Sequence, residues 1–176
     1  MRRTTIEEIL RVLSDARSRG ERPNLSGLDM RGLDMRGLPM RGSDLRECDM
    51  RGSDLRECDM RGSDLSGSVL IGADISGCNL SGCVMRKTNL SVSDIRRVNL
   101  RGSVLRGSVL IESDLSGCDM RESDLREVNL RGSVLIGTDL SGCDLTGCDL
   151  SGCDLTKTIM LRTILTAAEG DPTRRV

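Results

Sequence analysis

The stretch "RGSDLRECDMRGSDLRECDM", Arg41 to Met60, says one ten-residue phrase twice and nearly repeats five residues inside each phrase. A period of five suits neither a single helix nor a single strand, whose side chains recur at about 3.6 and about 2 residues. Outward from this stretch, every fifth residue from Leu25 to Leu165 is Leu, Met or Ile, 29 centres without an insertion. In 21 of the 29 the residue before the centre is Asp or Asn, so the phrase has a polar position as fixed as its apolar one. Two before the centre stands a residue that is usually small, as in Ser43, Cys48, Ala73 and Thr88.

Each five reads as a short extended piece and a corner. Alternate side chains of an extended piece point to opposite faces, which puts the small residue and the centre inside and the Asp between them outside. The two remaining residues, Arg51-Gly52 or Ser66-Gly67, make the corner, and Gly supplies the positive φ of the third position of a type II turn. Where Glu47, Glu57, Lys87, Arg97 or Glu127 replaces that Gly, a type I-like or irregular corner is expected. Regular corners wind extended pieces into a coil, and stacked coils bury their apolar edges on one another, an all-β solenoid. The period leaves two or four fives per turn open.

Written as small-Asp-Leu-x-x, the repeat resembles the pentapeptide repeat family over about four fifths of the chain. The resemblance implies a right-handed, four-sided parallel β-helix of about seven coils, roughly 34 Å long at about 4.8 Å per coil. It divides the chain into an N-terminal capping helix over 1–22, the repeat over 23–166 and a tail over 167–176. Many family members place Phe at the centre. This chain has Met at eight centres, from Met30 to Met160, which gives a softer interior.

The chain of 176 residues has no Phe, Tyr, Trp or His, and its 30% charged residues nearly cancel to −1, so any electrostatic function rests on local pattern. No apolar run approaches the roughly 20 residues of a membrane span. Glu7 and Glu8 interrupt the start where a secretion signal would be apolar, so a cytoplasmic protein with reduced cysteines is expected. All eight cysteines, Cys48 to Cys153, hold the inward small position, where Ser, Thr, Ala and Val also occur; this favours packing over redox or metal chemistry. The absence of His and the outward carboxylates argue against an enzyme and against a metal or other cofactor.

The ends of an open solenoid need covers. In "TIEEILRVLSDARSR", Ile6, Ile9, Leu10, Leu13 and Ala16 make one helical stripe, with a Thr4 or Thr5 capping box and Gly20 as a stop, so a lid is expected there rather than a membrane-surface helix. At the other end Ile159 and Ile164 replace the outward Asp and Leu161 occupies a corner. These three mark a homodimer interface through the C-terminal coil, unless the tail from 166 to 176 folds back over them. Several family members pair this way, and the resemblance favours the dimer.

If four fives close a turn, Asp34, Asp54, Asp74, Asp94, Asp114 and Asp154 share one face, an acidic stripe that either binds a partner or only solvates the rod. Asp139, Asp144, Asp149 and Asp154 lie in a run without a basic residue from 132 to 156. Val69, Ile71, Val109 and Ile111 break the polar surface as a candidate docking patch, with Val84 and Val104 beside it. The function expected is a non-catalytic scaffold for an unidentified protein partner. The resemblance implies an alternative, a DNA-mimicking binder of DNA gyrase or another type II topoisomerase. Direct nucleic-acid binding through Arg41, Arg61, Arg101 and Arg121 stands third, because the D-x-R spacing pairs each arginine with an aspartate and no aromatic is present for stacking.

Overall fold

Residues 3–170 are described in the computed structural model of the chain. From Asn24 to Glu169 each outward residue forms a parallel bridge with the residue twenty later: Asn24 with Asp44, Asp34 with Asp54, and so on to Asp149 with Glu169. Twenty residues hold four fives, so each turn has four faces. We label them by their outward columns: A runs from Asp34, B from Pro39, C from Asn24 and D from Asp29. The register continues three residues past the boundary at 166 drawn from the repeat.

Nearly every five makes the same backbone bonds; Met40, whose N–H donates to the Leu38 carbonyl at 3.1 Å, is an exception. The centre N–H donates to the outward residue of the next coil, as Leu45 does to the Asp64 carbonyl at 2.8 Å. The outward N–H donates to the coil before, as Asp64 does to Ser43 at 3.1 Å, and the small residue closes the corner, as Ser53 does onto Met50 at 3.1 Å. Extended pieces of three residues give columns of single bridges instead of long strands. The centres from Leu25 to Leu150 are all at most 2% exposed and form the core, each worth about 1.5–3 kcal/mol of apolar burial before entropy is counted.

The corners differ from the sequence expectation at the non-glycine positions. Glu47, Glu57, Lys87, Arg97 and Glu127 keep the left-handed backbone of their glycine counterparts, with φ between 55 and 60°. The reason is geometric: one irregular corner would break register with the coils on both sides. The side-chain stems of these residues lie over a glycine of the next coil, so that a Cβ built at Gly67 would stand 3.5 Å from Glu47 Cγ and one at Gly117 3.5 Å from Arg97 Cγ. A long residue at a corner is thus paired with a glycine above it.

Helix α1, Ile6–Arg19, starts at a capping box in which the Thr5 hydroxyl accepts from the Glu8 N–H and the Glu8 carboxylate accepts from the Thr5 N–H, and it stops at left-handed Gly20. Ile9 and Leu13 are buried in the same cluster as the coil centres, and Ala16 is buried on the same side of the helix. Leu10 departs from the expected stripe and is exposed, because it lies about 100° around the helix axis from Ile9. Beneath the helix, Leu28, Leu33 and Leu38 fill the positions that are small in later coils; they meet a helix there instead of another coil. The Thr4 N–H donates to the Asp29 carbonyl at 2.8 Å, and Arg17 reaches the Pro39 carbonyl, tying both sides of α1 to the first coil.

Candidate functional site

The outer faces carry an ordered charge lattice. In each D-x-R unit the arginine grips the aspartate two residues before it: Arg51 Nε donates to Asp49 Oδ1 at 2.9 Å and Nη2 to Oδ2 at 2.6 Å, while the Arg51 N–H reaches Oδ1 at 3.3 Å. Units at Arg31, Arg36, Arg46, Arg56, Arg61 and Arg121 repeat this geometry. Where Ser replaces Arg, its hydroxyl takes over, as Ser76 donates to Asp74 at 2.7 Å. The arginine bonds hold carboxylates such as Asp34, Asp49 and Asp54 below their ordinary range. Asp29 falls to about 2, chiefly through the Arg31 guanidinium bonds.

The lattice also runs between coils. Arg36 lies 3.6 Å from Asp54, Arg56 3.7 Å from Asp74 and Arg96 3.8 Å from Asp114, each arginine spanning its own aspartate and the one stacked above. Asp34, Asp54, Asp74, Asp94 and Asp114 therefore do form one column on face A, interrupted by Val134 before Asp154, but every one through Asp114 touches an arginine. Of the six only Asp154 makes no ion pair among the described residues; it accepts from the Thr156 N–H at 2.9 Å.

The acidic C-terminal run is likewise countered from below. Arg121 lies 3.8 Å from Asp139 and Arg126 3.9 Å from Asp144, each eighteen residues earlier in sequence and one coil down. Inspection of residues 132–156 alone could not find these cations. Asp149, which accepts from the Ser151 N–H at 2.9 Å and lies in the field of Arg131, and Asp154 make no ion pair among the described residues.

The inward small residues do more than save space. Ser63 Oγ donates to the Met40 carbonyl at 2.8 Å, 23 residues earlier, and accepts from the Ser43 N–H at 3.0 Å. Thr88, Ser103 and Ser123 repeat the donor bond, and so do the thiols of Cys58, Cys118 and Cys148. Sequence reading missed this role. Its signal is the dominance of Ser, Thr and Cys over Ala at that position. Burial pushes the Cys48 thiol up to about 11 and those of Cys83, Cys118 and Cys148 to about 12, so these thiols are poor nucleophiles. All eight cysteines are free thiols. Among the described residues no group of three or more His, Cys, Asp or Glu side chains is placed to hold a metal.

The four apolar residues of the expected patch fall into two columns, but not as neighbours. Val69 and Val109 both bridge Asn89, so a coil carrying Asn89 and Ser91 separates Val69 and Ile71 from Val109 and Ile111. That middle coil carries its own apolar residue, Val92, 61% exposed on the same edge, which sequence reading passed over. Its signal is a valine in a corner position otherwise held by glycine, alanine or a long charged residue. Val84 and Val104 bridge each other directly on face C. At the C-terminal end Ile159, Leu161 and Ile164 are 51, 68 and 50% exposed. Most of the tail expected over 167–176 lies outside the described residues.

A coil of four faces, sealed inside by apolar centres and outside by its own ion pairs, defines a β-solenoid whose chemistry is all on its outer surface. The pentapeptide repeats family model matches residues 24–62, 48–86, 63–102, 88–126 and 123–160, and the chain belongs to this family. Among solved structures, a pentapeptide repeat protein from the thylakoid lumen of Arabidopsis thaliana is 29% identical, with TM-score 0.56 over 57% of this chain and 70% of that one. HetL, a pentapeptide repeat protein involved in heterocyst differentiation regulation in Nostoc sp. strain PCC 7120, is 21% identical with TM-score 0.50 over 94% of both chains, a likeness of fold alone. QnrB1, a plasmid-mediated fluoroquinolone resistance protein, is 18% identical with TM-score 0.49 over 81% of this chain and 92% of that one, too distant to inform function. No curated protein sequence matches. No helix among the described residues is long and apolar enough to cross a membrane.

Proposed function

We propose that the protein is a non-catalytic, protein-binding scaffold: a right-handed rod of about seven coils, lidded at one end by α1 and self-associating at the other through Ile159, Leu161 and Ile164. One observation carries this reading: the aspartates and arginines of the outer faces are largely spent on one another, so the surface left to recognise a partner is where apolar residues interrupt the lattice. Carboxylates held ionised by arginines and thiols raised by burial supply neither a general acid near neutral pH nor a nucleophile. The eight free thiols suit a reducing compartment, and we place the protein in the cytoplasm. The test is affinity capture from its own lysate with the purified rod and an Ile159→Arg, Ile164→Arg variant; a rod that retains nothing specific overturns the scaffold.

The second reading, a DNA-mimicking binder of a type II topoisomerase, draws on Asp149 and Asp154, the carboxylates of the last full turn that make no ion pair among the described residues, close to the apolar end. The neutralised stripe on face A weighs against it, since a DNA mimic presents unopposed charge. Inhibition of gyrase supercoiling, or its rescue from a quinolone, by micromolar protein decides between the two. Direct nucleic-acid binding is weaker again: Arg61 and Arg121 are held by Asp59 and Asp119, and Arg101 by Glu122, whereas Arg41, which follows Pro39, lacks the aspartate expected from the D-x-R spacing.

A further inference from the structure

The charge lattice opens at one place in the middle of the rod, and this opening has a consistent chemistry. The D-x-R rule gives most corner arginines an aspartate two residues earlier; Arg41, Arg101 and Arg131 follow Pro39, Asn99 and Asn129 instead. At positions 84 and 104 that aspartate is valine, and the two valines stack directly on face C. Arg106 recovers a carboxylate from the coil above, Glu127, at 2.6 Å. Arg86 and Lys87, consecutive and exposed on the edge between faces C and D, make no ion pair among the described residues. Among the described residues, arginines without an ion pair occur elsewhere on the coils, at Arg41, Arg97, Arg131 and Arg162, but none of them has a pair of stacked valines alongside.

Across face D from these cations, past uncharged Asn89, lies the apolar edge of Ile71, Val92 and Ile111. Val92 is the telling residue. It is β-branched, 61% exposed and left-handed at φ 58°, a backbone that such side chains rarely adopt. Its counterpart one coil earlier is Gly72 at φ 66°, so glycine fits this corner without strain. An exposed, strained valine that packs on no core is retained where it serves the surface. Glu112, next above Val92 on this edge, places negative charge away from the Arg86 side and so orients any charged ligand.

We propose that Val84, Arg86, Lys87, Val92, Val104 and Ile71 form a docking site for a partner segment that carries carboxylates beside aliphatic side chains. The carboxylates meet Arg86 and Lys87, and the aliphatic residues cover the valines on either side. This rests on the scaffold reading above and specifies the partner's chemistry. The test is display selection of random twelve-residue peptides on the whole protein, counter-selected on the Arg86→Glu, Lys87→Glu variant. Selected peptides should combine Asp or Glu with Leu, Ile or Val, and the synthesised peptides should lose at least tenfold in affinity on the double variant and several-fold on Val92→Gly, which folds without strain. No enrichment, basic or purely polar winners, unchanged affinity on the variants, or random duplex DNA lost on the same variants overturns the site. Lysate partners that stay bound to the double variant leave the scaffold standing and remove this site; lysate partners absent from the wild type remove the scaffold itself.

Discussion

At the residue scale, the repeat fixes a backbone before it fixes a side chain. Each second corner position is left-handed whether or not it is glycine, and the cost of a non-glycine residue there is of order 1–2 kcal/mol. Val92→Gly should therefore raise the urea midpoint, by up to about 1 kcal/mol in stability once the flexibility of glycine in the unfolded chain is set against the relieved strain. Gly132→Ala should do the reverse and cost about 1–2 kcal/mol, since Gly132 sits at φ 70° and the new Cβ would stand 3.3 Å from Glu112 Cγ. The inward hydroxyls give a second contrast. Ser63→Ala removes two bonds to the hydroxyl, while the Ser43 N–H still donates to the Met40 carbonyl at 3.1 Å, and should cost about 0.5–1.5 kcal/mol. Ser43 Oγ is buried without a partner, because its donor bond would reach back to residue 20, before the coil begins. Ser43→Ala should be neutral or stabilising in the same urea titration.

At the element scale, α1 is built from local signals and held by tertiary ones. Thr5→Ala removes the capping hydroxyl and should cost about 1 kcal/mol, read as a lower midpoint with an unchanged denaturant slope. The helix was legible from its capping box, its glycine stop and the spacing of Ile9, Leu13 and Ala16. The exposure of Leu10 was not, because the width of the buried stripe depends on the shape of the surface it meets. That surface is made by Leu28, Leu33 and Leu38, whose size reads as a break in the small-residue rule but whose meaning depends on the helix lying over them.

At the scale of the whole molecule, the carboxylate lattice makes acid the natural denaturant. The shifted aspartates are lowered in the folded state, so between the folded and unfolded values the unfolded chain binds more protons and stability falls as pH falls. Stability should be flat above about pH 5 and decline through pH 4 toward pH 2, the region of Asp29. Circular dichroism across that range, repeated at high salt, checks this. The far end makes a separate prediction: Ile159→Arg should shift the proposed dimer to a monomer in sedimentation velocity with the thermal midpoint little changed, because Ile159 is half exposed and supports no core. The candidate surfaces were only half legible. The columns of face A followed from assuming four fives per turn, whereas the arginines countering Asp139 and Asp144 stand eighteen residues before them and the patch at Val69 and Val109 is split by Asn89.

The sequence by itself determined which side chains face the axis, which face solvent, and that each D-x-R arginine holds its own aspartate, because these relations lie within five residues of extended chain and one corner. Tertiary structure alone decided that a turn closes after twenty residues, and with it every relation between coils: which aspartates stack, which carbonyl an inward hydroxyl finds, which glycine lies over a long corner residue, and which cations are left unpaired. Closure depends on the sum of four corner bends and on the coil packed alongside, and no single five contains that sum.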